Sequence, residues 1–217
     1  MTDLEALVVA AYVFADEYPV SARGRPALTS DAELVALAVA QAAIGISSDR
    51  QFLGLVGRVL PGWFPHLPEQ SQYNRRLRGL VALISIVQQR LARWLDSGGV
   101  RLSDGTLIGV ANYPGCQRRS AFAGFARFGF AKSQHRFVYG VRLVLLTDWR
   151  GLASTRLVIE SVFANLKRQM RLEQHLARTP AGLALRIAQR ILALTLAILL
   201  NRLSGRPARA LAAYDGR

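Results

Sequence analysis

The stretch LTDWRGLASTRLVIESVF (146–163) decides how the chain is read. Its first part has the pattern of a strand ending in a turn, with Arg150-Gly151 as the turn signal. Its second part has the pattern of a helix, in which Ile159, Val162, Phe163 and Leu166 make an apolar stripe. Arg156, Glu160 and Lys167 lie four and seven residues apart, so they share a helix face. By spacing alone, Arg156 and Glu160 read as an ion pair within the helix. Very little chain separates the strand pattern from the helix pattern.

Upstream of this junction, HRFVYGVRLVLLTD (135–148) reads as one strand and VRLSDGTLIGV (100–110) as another. The stretch between them reads as irregular. Downstream, the Glu160 helix is expected to run to about Leu172. A second helix is expected from Thr179, as cap, with Pro180 at its first position, to about Leu203. The tail from Gly205 reads as loose. Before residue 98 the chain reads as helical throughout. Residues 3–15 form one helix, and Ser30 with Glu33 makes a capping box for the next. Ser48 caps a third. A fourth is expected from about Ser71, with Tyr73, Leu77, Leu80, Ile84, Val87, Leu91 and Trp94 at helical spacing, ending at Gly98-Gly99. The expected class is therefore mainly α with a small β-hairpin or sheet (α+β). A helical domain at 1–98, a bundle compatible with a helix-turn-helix variant, precedes a domain at 99–217. The latter holds a hairpin at 100–148 and helices at 154–203.

Composition bounds the function. The 217 residues carry 28 Lys and Arg against 14 Asp and Glu, a formal net charge of +14. Lys132 and Lys167 are the only lysines. Arginine presents a rigid fork of donors that suits phosphate, and a cationic excess of this size points to a polyanion such as nucleic acid. One cysteine, Cys116, excludes an internal disulfide and a cysteine-based zinc cluster. The histidines, His66, His135 and His175, have no metal-ligand spacing. The most apolar run, ILALTLAILL (191–200), is half the roughly 20 residues a spanning helix needs and is flanked by Arg186, Arg190 and Arg202. It reads as a buried helix, with no membrane partner. No export signal is read at the N-terminus, and a cytoplasmic, nucleoid-associated protein is expected.

Residues 105–147 contain no Asp or Glu. They carry Arg118, Arg119, Arg127, Lys132, Arg136 and Arg142, interleaved with Tyr113, Phe122, Phe125, Phe128, Phe130, Phe137 and Tyr139. Basic side chains neutralise phosphate, and aromatic rings either fill a core or stack on exposed bases. Asp104 stands apart, alone in an otherwise apolar strand and followed by Gly105-Thr106. A charge there needs a partner or a task.

Together, LSDGT (102–106), RLVIESVFANLKRQ (156–169), TPAGLALRIAQRILALTLAILLNRL (179–203) and PEQSQYNRRLRGL (68–80) resemble bacterial insertion-sequence transposases of the DDE type. The resemblance runs from about residue 25 to residue 215. Its most specific part is Arg156, Ile159, Glu160, Phe163, Leu166 and Lys167. It implies a ribonuclease-H-like catalytic domain whose three acids hold two Mg2+ (or Mn2+) ions for phosphodiester transfer. Asp104 would be the first acid and metal ligand and Glu160 the third. Lys167 would contact DNA near the cut. Arg75, Arg76, Arg118, Arg119, Arg127, Lys132, Arg136 and Arg156 complete the expected DNA contacts. The partners implied are DNA, specifically the element's terminal inverted repeats, and further copies of the chain in a homo-oligomer.

The second acid has no place. Only Asp148 lies between Asp104 and Glu160, in what reads as the turn TDWRG. The family pattern requires further strands and a crossover helix before Glu160, and a parallel crossover alone takes about a dozen residues. An internal segment is therefore expected to have been lost near Leu152-Ala153, leaving the frame intact. Such a loss implies a sheet without its parallel centre and impaired catalysis. The remaining role would be DNA binding, with interference against an intact transposase as the alternative function.

Overall fold

A computed structural model describes residues 1–18, 27–96, 98–113, 115–131, 135–149 and 155–216. Its helices begin where the sequence supplies caps. Thr2 and Ser30 close capping boxes with Glu5 and Glu33 over α1 (Asp3–Asp16) and α2 (Asp31–Ile44). Ser48 caps α3 (Asp49–Val59), and Thr179 with Pro180 opens α8 (Pro180–Leu203). The helix expected to run unbroken from Ser71 to Trp94 is instead two, α4 (Gln70–Gly79) and α5 (Val81–Leu95). Gly79 has poor helix propensity, and Leu80 leaves helical geometry at φ −94°, ψ 6°. The apolar spacing survives the break, so Tyr73, Leu77, Leu80, Ile84, Val87 and Leu91 are all buried, while Trp94 is exposed.

The sheet has three strands in the order β1-β3-β2, with both pairings antiparallel. These are β1 (Val100–Ala111), β2 (Arg127–Ala131) and β3 (Arg136–Trp149). Two expectations are corrected here. The stretch before His135 is not irregular throughout: it holds a helical turn, α6 (Cys116–Arg119), and the strand β2. Asp148 is not in a turn, because β3 continues through Trp149 and pairs Asp148 with Arg101. Helix α7 (Thr155–Lys167) follows, then a 3-10 turn at Leu172–Gln174. The expected seam at Leu152-Ala153 lies outside the described residues.

Helix α2 is buried on nearly every side, from Ala32 to Ala43, as a helix apolar all round must be. It packs against α1 and α8, and α8 packs against α5 and α1. The segments on either side of Gly98-Gly99 thus share one core. Among the described residues α8 alone, as a single helix, has the length and apolarity to cross a membrane. More than half of its apolar window (56%) is buried inside the fold, where it serves as a core helix. The C-terminal tail is not loose. Leu211 and Tyr214 are buried, and the Tyr214 hydroxyl donates to Asn201 Oδ1 at 2.9 Å. Two apolar anchors and one buried hydrogen bond are enough to hold a short segment against α1.

A polar cluster runs through this core. Arg186 Nη2 donates to both carboxylate oxygens of Asp49 at 2.6 Å, Gln41 Nε2 donates to Asp49 at 2.7 Å, and Tyr73 donates to Gln41 at 3.1 Å. Arg190 donates to the carbonyls of Met170 and Arg186 at 2.7 and 2.9 Å. Burial, aided by the like charge of Arg186, pushes the Arg190 guanidinium down to about 10. Burial, with the Asp49 carboxylate second, raises the Tyr73 phenol. Sequence reasoning did not single out this cluster. Its available signals were two arginines one turn apart on an otherwise apolar helix and a lone Gln41 in an alanine-rich run.

Candidate nucleic-acid interface

The β1–β3 ladder assigns the acids to faces. Asp104 lies opposite Leu145, Thr106 opposite Leu143 and Ile108 opposite Val141. Ile108 is buried, and Val141, Leu143 and Leu145 pack against the core, whereas Arg142, Val144 and Leu146 are exposed on the other face. Asp104 therefore has the parity of the helix-covered face, although its own side chain is exposed. Its Oδ1 accepts from the Gly105 amide at 2.7 Å. Helix α7 packs on β1 and β3 and buries Ile159, Val162, Phe163 and Leu166, the stripe read from the sequence. Glu160 stands on the exposed side of that helix. Asp148 pairs with Arg101 near the end of the same ladder. Among the described residues no three His, Cys, Asp or Glu side chains are gathered so as to hold a metal ion. Among the described residues, then, the donor set does not fit a two-metal centre.

The basic residues divide by what they touch. Arg75, Arg118, Arg119, Arg127 and Arg136 are exposed. Arg76 is committed to structure: it donates to Asp31 at 2.6 Å and to the Thr29 carbonyl at 2.7 Å, tying α4 to the start of α2. Lys167 sits 3.1 Å from the Glu173 carboxylate. Lys132 and the Arg156 side chain lie outside the described residues, and with the latter the expected Arg156–Glu160 pair.

The aromatic residues divide as well. Phe122 and Tyr139 are core, at 2% and 3% exposure, joined by a hydrogen bond from the Tyr139 hydroxyl to the Phe122 carbonyl at 3.0 Å. Phe128, Phe130 and Phe137 are 55%, 51% and 72% exposed. Phe128 pairs with Tyr139 and Phe130 with Phe137 across the β2–β3 ladder, their ring centroids 5.2 and 5.3 Å apart. The two ring pairs lie two register positions apart on the same ladder and so form a row along it. A cleft of roughly 540 Å³ adjoins it, bordered by Asn112, Tyr113, Cys116, Arg136 and Glu173.

His175 is buried and hydrogen-bonded inside the fold. Its Nδ1 accepts from the Ala177 amide at 2.9 Å, which leaves Nε2–H to donate to the Gly109 carbonyl at 3.0 Å. Burial holds the imidazole below its ordinary pKa, and the charges of Arg190 and Arg186 add to this. Compared with protein-family models, curated proteins and solved structures, the chain finds no match in any of the three.

Proposed function

We propose that the chain is a DNA-binding protein of the insertion-sequence transposase type, impaired in strand cleavage and transfer. The observation that carries the DNA-binding part is the β2–β3 surface. It has exposed Phe128, Phe130 and Phe137 with exposed Arg127 and Arg136, Arg118 and Arg119 are exposed on α6 just before it in the chain, and residues 105–147 contain no acid. The resemblance of LSDGT and RLVIESVFANLKRQ to DDE transposases supplies the lineage. A ribonuclease-H-like origin is supported by the antiparallel β1–β3 ladder, with an acid on β1 and α7 laid against the same sheet. Loss of an internal segment between β3 and α7 accounts for β1 being left as a sheet edge.

Impairment is supported by the acids. Two carboxylates under-coordinate a pair of hard divalent ions, which take six or more oxygen ligands each, and Asp104 and Glu160 are the two acids that the resemblance supplies. No chemical step is assigned to Mg2+ or Mn2+ in this chain. The shortage of acids between Asp104 and Glu160 also favours the second reading, a non-catalytic binder of terminal inverted repeats that interferes with an intact transposase. Cytoplasmic, nucleoid-associated residence and self-association belong to the same proposal.

Gel-shift titration with terminal-repeat and random DNA tests the binding. Tighter binding to terminal DNA is expected, and absence of binding to either DNA would sink the proposal. Supercoiled-plasmid nicking with Mg2+ or Mn2+ tests the impairment. No cleavage is expected; cleavage that disappears in Asp104→Ala and Glu160→Ala would show an active enzyme.

A further inference from the structure

We infer that the aromatic row on β2 and β3 is a stacking platform for unpaired bases, so that the DNA it takes is single-stranded or locally opened rather than closed duplex. The inference rests on the DNA-binding proposal and narrows its substrate. Phe128, Phe130 and Phe137 are each more than half exposed, on a hairpin whose strand β2 is an edge of the sheet. Core filling does not explain them, because the core role at this end of the sheet is taken by Phe122 and Tyr139. Their register puts Phe130 beside Phe137 and Phe128 beside the buried Tyr139, so each exposed ring is held by a cross-strand neighbour. Fixed rings lose little entropy on binding a flat ligand.

The chemistry selects unpaired bases. A phenylalanine has no donor or acceptor and cannot read a base edge, but every base has a face that stacks on it. In closed duplex those faces are already covered by neighbouring bases, and arginines alone would suffice for the phosphates. Arg127 and Arg136, at the start of β2 and of β3, are exposed close to the row. The adjoining cleft, roughly 540 Å³, is of the size, about 300–1,000 Å³, that takes small ligands, which is room enough for a nucleotide. One acid borders that cleft, Glu173, and Lys167 neutralises it at 3.1 Å. Parity along β3 puts Phe137 and Tyr139 on the same face as Leu145, the partner of Asp104. A strand stacked on the row would thus lie on the face of the sheet that carries the first acid.

The test is fluorescence anisotropy with a labelled single strand, its duplex, and the duplex with an unpaired bubble. The same titrations are made with Phe130→Ala/Phe137→Ala, Phe130→Leu/Phe137→Leu, and with anionic vesicles. Single-stranded and bubbled DNA are expected to bind at least about tenfold tighter than duplex. Both double variants should lose that preference while keeping the wild-type melting temperature and duplex affinity. The leucine variant keeps apolar area without a π-face. Retention of the preference in that variant would overturn stacking, as would equal affinity for duplex and single strand. Vesicle binding that depends on the two rings, with DNA binding unaffected by them, would reassign the surface to membranes. No affinity for any DNA would defeat the DNA-binding proposal itself, whereas duplex binding indifferent to the rings defeats this inference alone.

Discussion

Arg186 of α8 holds Asp49 of α3 through one nitrogen placed 2.6 Å from both carboxylate oxygens, across 137 residues of chain. Both side chains are buried, with Gln41 and Gln189 completing the shell. Removing one partner strands the other charge in the core, so Asp49→Ala or Arg186→Ala is expected to cost about 3–5 kcal/mol. Replacing both, as in Asp49→Leu/Arg186→Met, should cost clearly less than the sum of the single changes. Urea denaturation of the four proteins checks this. Additivity within about 0.5 kcal/mol would show that the two groups do not act as a unit.

That pair marks where sequence reading runs out. Helix starts at Ser30, Ser48 and Thr179 were legible because a cap is a local signal, satisfied within three residues. Strands β1 and β3 were legible through their β-branched and aliphatic content. Strand β2 was not, because RFGFA is short, contains glycine and is pinned by its partner rather than by propensity. The docked tail was missed for the same reason: Tyr214 and Leu211 are anchored by residues far away in sequence. At the candidate site, sequence supplied the list of aromatic residues but could not sort the buried Phe122 and Tyr139 from the exposed Phe130 and Phe137. Only pairing and burial do that.

Gly45 ends α2 in the left-handed region, at φ 78°, and a Cβ there would lie 2.1 Å from the Gln169 carbonyl oxygen. The second constraint is the stronger. Gln169 is itself fixed by hydrogen bonds from its Nε2 to the carbonyls of Ala43 and Leu211, so the strand of chain after α7 cannot retreat freely. Gly45→Ala is expected to destabilise by roughly 3 kcal/mol or more, combining αL strain with the clash. Asn tolerates the αL region but still carries a Cβ. Gly45→Asn should therefore be nearly as damaging by thermal melting, and a mild Asn variant would show that φ alone is at issue.

Glu173 is the acid that borders the cleft beside the aromatic row, and its bridge to Lys167 is partly exposed. Such a bridge contributes little to stability, about 0–1 kcal/mol. Glu173→Gln should leave the melting temperature nearly unchanged while removing a negative charge and releasing Lys167. DNA affinity at low salt is then expected to rise severalfold, with a steeper decline as salt increases. Anisotropy titrations at several salt concentrations measure both. Unchanged affinity would place Lys167 and Glu173 outside the DNA footprint.

His175 makes stability depend on pH in a window that can be assigned. Its folded pKa lies below the ordinary 6.5, chiefly through burial. The unfolded chain therefore takes up a proton first as pH falls, and stability rises with pH wherever the unfolded state binds more protons. The contribution is complete above about pH 6.5 and declines as pH drops from there through the folded pKa. Protonation of Nδ1 would also break the hydrogen bond from the Ala177 amide. The carboxyls of Asp3, held low by the Arg206 hydrogen bond, and of Glu5, held low by the Thr2 amide, act only at lower pH. Denaturation midpoints should thus fall between about pH 7 and about pH 5 in the wild type and stay flatter in His175→Gln. Equal slopes in the two proteins would show that another group controls that window.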